Sequence, residues 1–317
     1  MEIVIPTVSL SNCEKAMPVI AMGTSSYPPA DLETTKAAIL EAIKVGYRHF
    51  DTAFAYGSEK AVGEAIAEAL GLGLIQSRDQ LFITTKLAPS FADPPQIVPA
   101  CKASLQNLQL EYVDLYLIHS PVRLTEMVSK TPVEREVIQP LDIKGVWESM
   151  EECKRLGLTK AIGISNFSCR LTQEVLSVAK IPPAVNQVEM NPLWHQKKLR
   201  EFCREKGIHI TAYSPLGANN TTWGDNRVME NDVLARIANA RGKTIAQVAL
   251  RWVYEQGASP VAKSFNTDRM KQNLQIFDWA LTQQDLESID KLPQVKGVTL
   301  ASILGPHDIL LDMDAEL

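Results

Sequence analysis

Four side chains with complementary acid–base chemistry, Asp51, Tyr56, Lys86 and His119, stand at or just past the ends of short apolar runs. Tyr47-Arg48-His49-Phe50 leads into Asp51, Leu81 to Thr85 into Lys86, and Val113 to Ile118 into His119. Tyr56 follows Asp51 in the segment after the first run. A tyrosine beside a cationic lysine has its phenolate favoured, so its pKa is expected to fall toward the working range of a general acid. Asp51 would hold the lysine's charge. His119, within hydrogen-bond reach, would orient a carbonyl oxygen or assist proton transfer. Lys86 requires such company, because a lysine after Leu81-Phe82-Ile83 needs a partner or an exit to water. Groups of this kind deliver a proton to a carbonyl oxygen. Side chains donate no hydride, so a nicotinamide or flavin is expected as well.

Other apolar runs end equally polar: Ala161 to Ile164 in Ser165-Asn166, Val185-Asn186 in Gln187, Ile208 to Ala212 in Tyr213-Ser214, and Pro260 to Ala262 in Lys263. Tyr213 is placed to stack on a nicotinamide ring, with Ser165, Asn166 and Gln187 holding its carboxamide and so fixing the face presented. Asn166 could otherwise be the N-cap of the next helix. Past Lys263, a short helix carries Arg269, Gln272 and Asn273 on near-adjacent faces. Lys263, Ser264 and Arg269 form a compact anion pocket beside its N-terminus, and two cations suggest the 2′-phosphate of NADP rather than NAD. Gly71-Leu72-Gly73-Leu74-Ile75-Gln76 lacks the last glycine of a dinucleotide fingerprint and closes a helix.

The elements that must position these residues alternate. A hairpin over 3–20 precedes a first barrel strand at 18–22, ending in Gly23-Thr24, and a helix over 31–45. A second helix runs over 58–72 with Ser58-Glu59 as its polar start. Strands are expected at 80–86, 112–119, 158–165, 184–188, 208–214 and 259–263. Helices are expected at 95–108, 143–156, 168–179, 195–206, 229–241, 244–256, 267–275 and 281–290. Eight strands in βα order without a Pro/Ser-rich linker predict one (β/α)8 barrel domain over 1–317, with an N-terminal hairpin and an irregular tail from Pro293. Active sites of such barrels lie at the strand C-termini. The long connections 88–94, 120–142 and 215–228 are therefore expected to wall the site.

Among 317 residues, 45% hydrophobic and 22% charged, the formal net charge is −5. That balance argues against a nucleic-acid or anionic-membrane partner. Five scattered cysteines without a CxxC pair read as free thiols in a reducing compartment, with no metal site. The start lacks a basic n-region and no run reaches the length of a membrane span, so a cytoplasmic monomer is expected.

These residues give the chain its resemblance to the aldo-keto reductases over nearly the whole length. The matching segments are Gly46 to Ala53 with Tyr56-Gly57-Ser58-Glu59, Leu156 to Phe167, Asn186-Gln187-Val188-Glu189, Thr211 to Gly217 and the Lys263-Ser264 region. The resemblance implies a general acid at Tyr56, tuned by Lys86 and Asp51, with His119 orienting the carbonyl. It implies NADPH as cofactor, contacted by Thr24, Asp51, Ser165, Asn166, Gln187, Tyr213, Ser214, Leu216, Lys263, Ser264, Phe265, Arg269, Gln272 and Asn273. Within the family the chain looks most like the plant group holding galacturonate, codeinone and chalcone reductases. Its tail, Lys296-Gly297-Val298-Thr299 through Ile303 to Asp308, is similar to that of galacturonate reductases.

Two departures bear on substrate. Many relatives carry Trp where this chain has Ala88, and His-Trp-Pro where it has His119-Ser120-Pro121. Small residues there open one side of the pocket lined by Phe54, Ala88, Ser120 and Trp223, unless Phe54, Phe91, Trp194, Trp223 or the tail refills it. The expected reaction is reduction of a ketone or aldehyde, preferably a bulky specialised-metabolite ketone, with D-galacturonate as the alternative. A rival of another class is a non-catalytic, NADPH-sensing partner subunit. A third reading is reduction of an intermediate released by a partner enzyme.

Overall fold

The computed structural model describes residues 4–126, 134–218 and 225–297, excepting the side chain of Arg135. An antiparallel hairpin, β1 (Thr7–Val8) with β2 (Met17–Pro18), precedes the main sheet. Chain order then runs β3 (Ala21–Gly23), α1 (Leu32–Val45), β4 (His49–Asp51), α2 (Glu59–Gly71), β5 (Phe82–Leu87), α3 (Pro94–Leu108) and β6 (Val113–Ile118). A ribbon of β7 (Val122–Leu124) and β8 (Ile138–Pro140) intervenes before α4 (Ile143–Arg155), β9 (Thr159–Ser165), α5 (Cys169–Val178), β10 (Val185–Glu189) and α6 (Lys197–Glu205). Last come β11 (His209–Tyr213), α7 (Asp232–Arg241), α8 (Ile245–Glu255), β12 (Ser259–Ala262), α9 (Thr267–Leu274) and α10 (Gln283–Asp290).

The eight parallel strands β3, β4, β5, β6, β9, β10, β11 and β12 close on themselves, β12 pairing β3 through Val261 with Ala21 and Ala262 with Met22. This is the barrel expected from the alternation. The hairpin caps its lower end, where Met17 packs with Leu10, Phe82, Leu115, Leu117 and Val185. A larger apolar layer, including Ile39, Ile43, Val62, Ile66, Leu108, Trp147 and Met150, joins sheet to helices. Local chemistry sets the helix ends. Asp31 accepts the Thr34 N–H at 2.8 Å to start α1, and Gly46 ends it in the left-handed region at φ 118. Thr244 and Gln247 form a reciprocal capping box on α8. At Gly63 a β-carbon would lie 2.3 Å from the Leu108 carbonyl oxygen, so only glycine lets α2 close on the end of α3.

Boundaries shift for identifiable reasons. The strand expected over 18–22 is divided, Pro18 pairing within the hairpin and Ala21–Gly23 within the barrel. The helix expected from 195 begins at Lys197, because Gln196 has φ 52 and cannot continue a right-handed turn. The connection 120–142 is not wholly irregular. Val122, Leu124 and Ile138 are buried at alternate positions, and β7 pairs β8 through Leu124 and Ile138. Residues 88–94 hold a 3-10 turn, Pro89–Phe91. The tail beyond Gly297 lies outside the described residues.

Candidate active site

Parallel strands ending at one rim bring Asp51, Lys86 and Gln187 to the same opening. Lys86 is fully buried, and an ammonium removed from water needs acceptors. It has two: Asp51 Oδ1 at 2.6 Å and the Thr52 carbonyl at 2.9 Å. The other Asp51 oxygen accepts from Gln187 Nε2 at 2.8 Å, so the carboxylate is held on both sides. Burial works against the Lys86 charge, but Asp51, with Tyr56 behind it, overcomes that and raises the lysine's pKa. Lys86 therefore stays cationic.

Tyr56 closes a 3-10 turn, Phe54–Tyr56, that Gly57 ends at φ 68. Its ring lies over Lys86, Nζ 4.9 Å from the centroid. The phenol oxygen is 3.4 Å from His119 Nε2, the two rings edge-on at 5.4 Å. Here one expectation is corrected. Exclusion of water pushes the Tyr56 pKa up by more than the Lys86 charge brings it down, with the Asp51 charge adding to the rise. The phenol is a protonated donor, restrained by Lys86 from rising further. His119 is driven down to about 3, by burial first and the Lys86 charge second, so its imidazole is neutral. Its Nδ1 is buried with no hydrogen-bond partner among the described residues.

Beyond β9, β10 and β11 a polar network fills the rim. Asn166, at φ 65, donates to the His119 carbonyl at 3.0 Å and to Ser165 Oγ at 3.2 Å. It accepts from the Tyr213 hydroxyl at 2.7 Å, while Ser165 Oγ donates to the Gln187 carbonyl at 2.9 Å. Asn166 is not the helix cap that its position also allowed: Ser168 caps α5. Ser214 has φ 49 and accepts the Gly217 N–H at 3.0 Å, with half-buried Leu216 between them. The Thr24 hydroxyl bonds the Asp51 carbonyl at 3.1 Å.

The anion pocket read from the sequence lies at the end of β12. Asn266 caps α9, accepting the Arg269 N–H at 2.9 Å, and Ser264 Oγ accepts the Asn266 N–H at 3.2 Å. Lys263 Nζ sits 4.2 Å over the Phe265 ring. Burial, then the neighbouring Arg269 charge, lowers the Lys263 pKa. Among the described residues neither cation has a carboxylate partner. Two uncompensated cations beside a helix N-terminus fit a phosphate. Gln272 is exposed on the same helix, whereas Asn273 is buried against Tyr47.

On the substrate side, Ala88 is buried directly after β5, and Phe91 on the following turn meets Phe54 edge-on at 5.2 Å. Ser120 is half-buried where the chain enters β7, and Trp194 is half-buried beyond β10. Trp223 lies outside the described residues. Ser58 and Glu59, which read in the sequence as a polar helix start, instead bond Thr24, Thr52, Thr85 and Asn107. The Thr52 carbonyl under Lys86 was not legible in the sequence, because a backbone acceptor leaves no mark in residue type.

Comparison with known proteins agrees with this geometry. The model of the Aldo/keto reductase family matches residues 19–294. The chain is 64% identical to D-galacturonate reductase of Fragaria ananassa over 316 residues, 99% of each chain. It is 54% identical to NADPH-dependent codeinone reductase 1-4 of Papaver somniferum, over 95% of this chain and 94% of that one. Its fold superposes on a Bombyx mori aldo-keto reductase in complex with NADP at a TM-score of 0.84, with 32% identity, covering 96% of this chain and 99% of that one. With the barrel, the buried Asp51–Lys86 pair and these matches in agreement, the chain belongs to the aldo/keto reductase family.

Proposed function

We propose that this NADPH-dependent oxidoreductase acts as a monomer, one domain over residues 1–317, and reduces a ketone or aldehyde with Tyr56 as proton donor. When bound, NADPH supplies the hydride. The observation that carries the reading is the Lys86 ammonium, fixed by Asp51 and the Thr52 carbonyl beneath the Tyr56 ring. As negative charge develops on the carbonyl oxygen, Tyr56 gives up its proton there, and Lys86 stabilises the phenolate left behind. His119, neutral and 3.4 Å from the phenol oxygen, holds that carbonyl oxygen through Nε2 and fixes its direction. Ser165, Asn166 and Gln187 would hold the nicotinamide carboxamide, with Tyr213 against the ring. Lys263, Ser264 and Arg269 would take the 2′-phosphate. Thr24, Asp51, Ser214, Leu216, Phe265, Gln272 and Asn273 complete the cofactor contacts.

For the substrate we infer a bulky ketone of plant specialised metabolism, since small Ala88 and Ser120 border the opening. A uronic acid aldehyde such as D-galacturonate is the second reading. Two observations favour it: the edge-on contact of Phe91, on the turn after Ala88, with Phe54, two bulky rings near the lost indole, and the 64% identity to a D-galacturonate reductase. The test is NADPH consumption by the purified protein on D-galacturonate, a set of polycyclic ketones and a simple aromatic aldehyde. Preference for the ketones supports the open pocket, and preference for galacturonate supports the refilled one. Silence on every substrate with NADPH still bound would overturn both, in favour of a sensor or a partner-dependent enzyme.

A further inference from the structure

We infer that Glu59, assisted by Ser58, is a positioning residue that sets Tyr56 in register with Lys86; the inference rests on the assignment of Tyr56 as proton donor. The turn that carries Tyr56 has little support of its own. Its backbone bonds are Tyr56 N–H to the Ala53 carbonyl at 3.0 Å and Gly57 N–H to the Phe54 carbonyl at 3.2 Å. Its placement depends on what fastens its ends. β4 holds one end, and residues 58 and 59 hold the other.

A serine just before a helix ordinarily caps it by accepting a backbone N–H. The Ser58 side chain makes no capping bond to α2. Its buried hydroxyl instead lies 2.8 Å from Thr24 Oγ1 and 2.9 Å from Thr52 Oγ1. It thereby joins the ends of β3 and β4, and the Thr52 carbonyl is the second acceptor of Lys86.

Glu59 fastens the same segment on the outer side of the wall. Only 2% exposed, it accepts the Thr85 hydroxyl through Oε1 at 2.6 Å and the Asn107 amide through Oε2 at 2.9 Å. Strand alternation explains the arrangement: Lys86 points into the barrel and Thr85 outward, where α2 meets α3. One carboxylate thus ties the first residue of α2 both to the neighbour of Lys86 and to the adjoining helix. Among the described residues its hydrogen-bond partners are neutral, and a carboxylate buried in such company is costly; the N-terminus of α2 offsets part of that. An apolar contact would hold α2 to the barrel as firmly. Directed hydrogen bonds do something more, fixing the distance and angle between the Tyr56 turn and the Lys86 strand.

The test compares Glu59→Ala, Glu59→Gln and Ser58→Ala in the full chain. It reads kcat, carbonyl KM, NADPH affinity by tryptophan fluorescence quenching, and the pH dependence of kcat. Loss of register should lower kcat about 10- to 100-fold in Glu59→Ala, since sub-ångström misplacement of a reacting group has effects of that order. NADPH affinity should stay within about twofold, because the phosphate pocket is untouched. The alkaline limb of the reductive profile should move to higher pH, since a phenol farther from Lys86 holds its proton longer. Glu59→Gln should recover most of the rate, the Asn107 amide turning its oxygen to the new donor. Unchanged kcat and alkaline limb in folded Glu59→Ala would overturn the inference. So would kcat and NADPH affinity falling together with the folded fraction. Should Glu59→Ala fail to fold, Ser58→Ala and Thr85→Val are the milder probes, expected to lose kcat several-fold with the same limb shift; an unmoved limb overturns the inference there too. Tyr56→Phe, measured alongside, separates the two assignments. If it keeps turnover, the proton-donor reading fails. If it loses turnover while the residue 58 and 59 variants are silent, the positioning inference alone fails.

Discussion

Lys86 joins the chemistry of the other three side chains. Its ammonium is bonded by Asp51, lies under the Tyr56 ring and helps keep His119 neutral. With Tyr56 as the proposed proton donor, alcohol oxidation would begin from its phenolate and carbonyl reduction from the phenol. Lys86→Met removes the charge that favours the phenolate. It should therefore lower both directions by about 10²-fold or more, and oxidation by the larger factor. Initial rates in both directions check this, and a larger loss in reduction would contradict it. On the substrate side, Ala88→Trp restores bulk beside Phe54 and Phe91. It should lower kcat/KM for polycyclic ketones by about tenfold or more, while a small aromatic aldehyde loses much less. Equal losses would mean that Ala88 does not face the substrate.

Among the elements, the β12–α9 junction is the one proposed to carry the cofactor choice. Lys263 and Arg269 lie beside the start of a helix whose cap, Asn266, keeps its first turn intact. Lys263→Met with Arg269→Ala should weaken NADPH binding by about 10- to 100-fold or more, the worth of at least one charge-assisted hydrogen bond. NADH binding should change much less, which parallel titrations would show. An equal loss for both nucleotides would place the cations on another part of the cofactor. The strand end and the short helix after it were legible in the sequence as a run ending in Lys263-Ser264 before a polar segment, although residue types alone allow an exposed basic helix equally well. The β7–β8 ribbon was not legible, since Val122 to Leu124 and Ile138 to Pro140 are only three residues each and lie some way apart in the chain, too short for alternation to stand out. Ser58 and Glu59 misled for a different reason. Their types are those of an ordinary helix start, and only the tertiary fold reveals that both side chains turn away to Thr24, Thr52, Thr85 and Asn107.

Across the whole molecule, barrel closure buries histidines in their neutral form. His49, between the Pro18 carbonyl and Thr84, and His209, beside Ser259, are both pushed down to about 4, chiefly by burial. The unfolded chain takes up protons near pH 6.5 that the fold refuses. Stability is therefore complete above that pH and is lost as pH falls toward 4, by about 2 kcal/mol per histidine at pH 5. Urea unfolding at pH 7 and pH 5 should show this loss, and His49→Asn should reduce it. A flat dependence would contradict it. The barrel itself was legible because each strand run ends in a polar residue at the same rim. The Tyr56 pKa was misread because residue types announce the Lys86 charge, while the exclusion of water that outweighs it arises only when the rim closes around the phenol.

Tyr56 is proposed to donate the proton and to take no part in holding NADPH. The direct measurement is Tyr56→Phe, with NADPH affinity and carbonyl turnover determined on the same preparation. Turnover should fall by about 10³-fold or more, with NADPH affinity within about twofold of the parent. Retained turnover, or equal loss of binding and turnover, would contradict it.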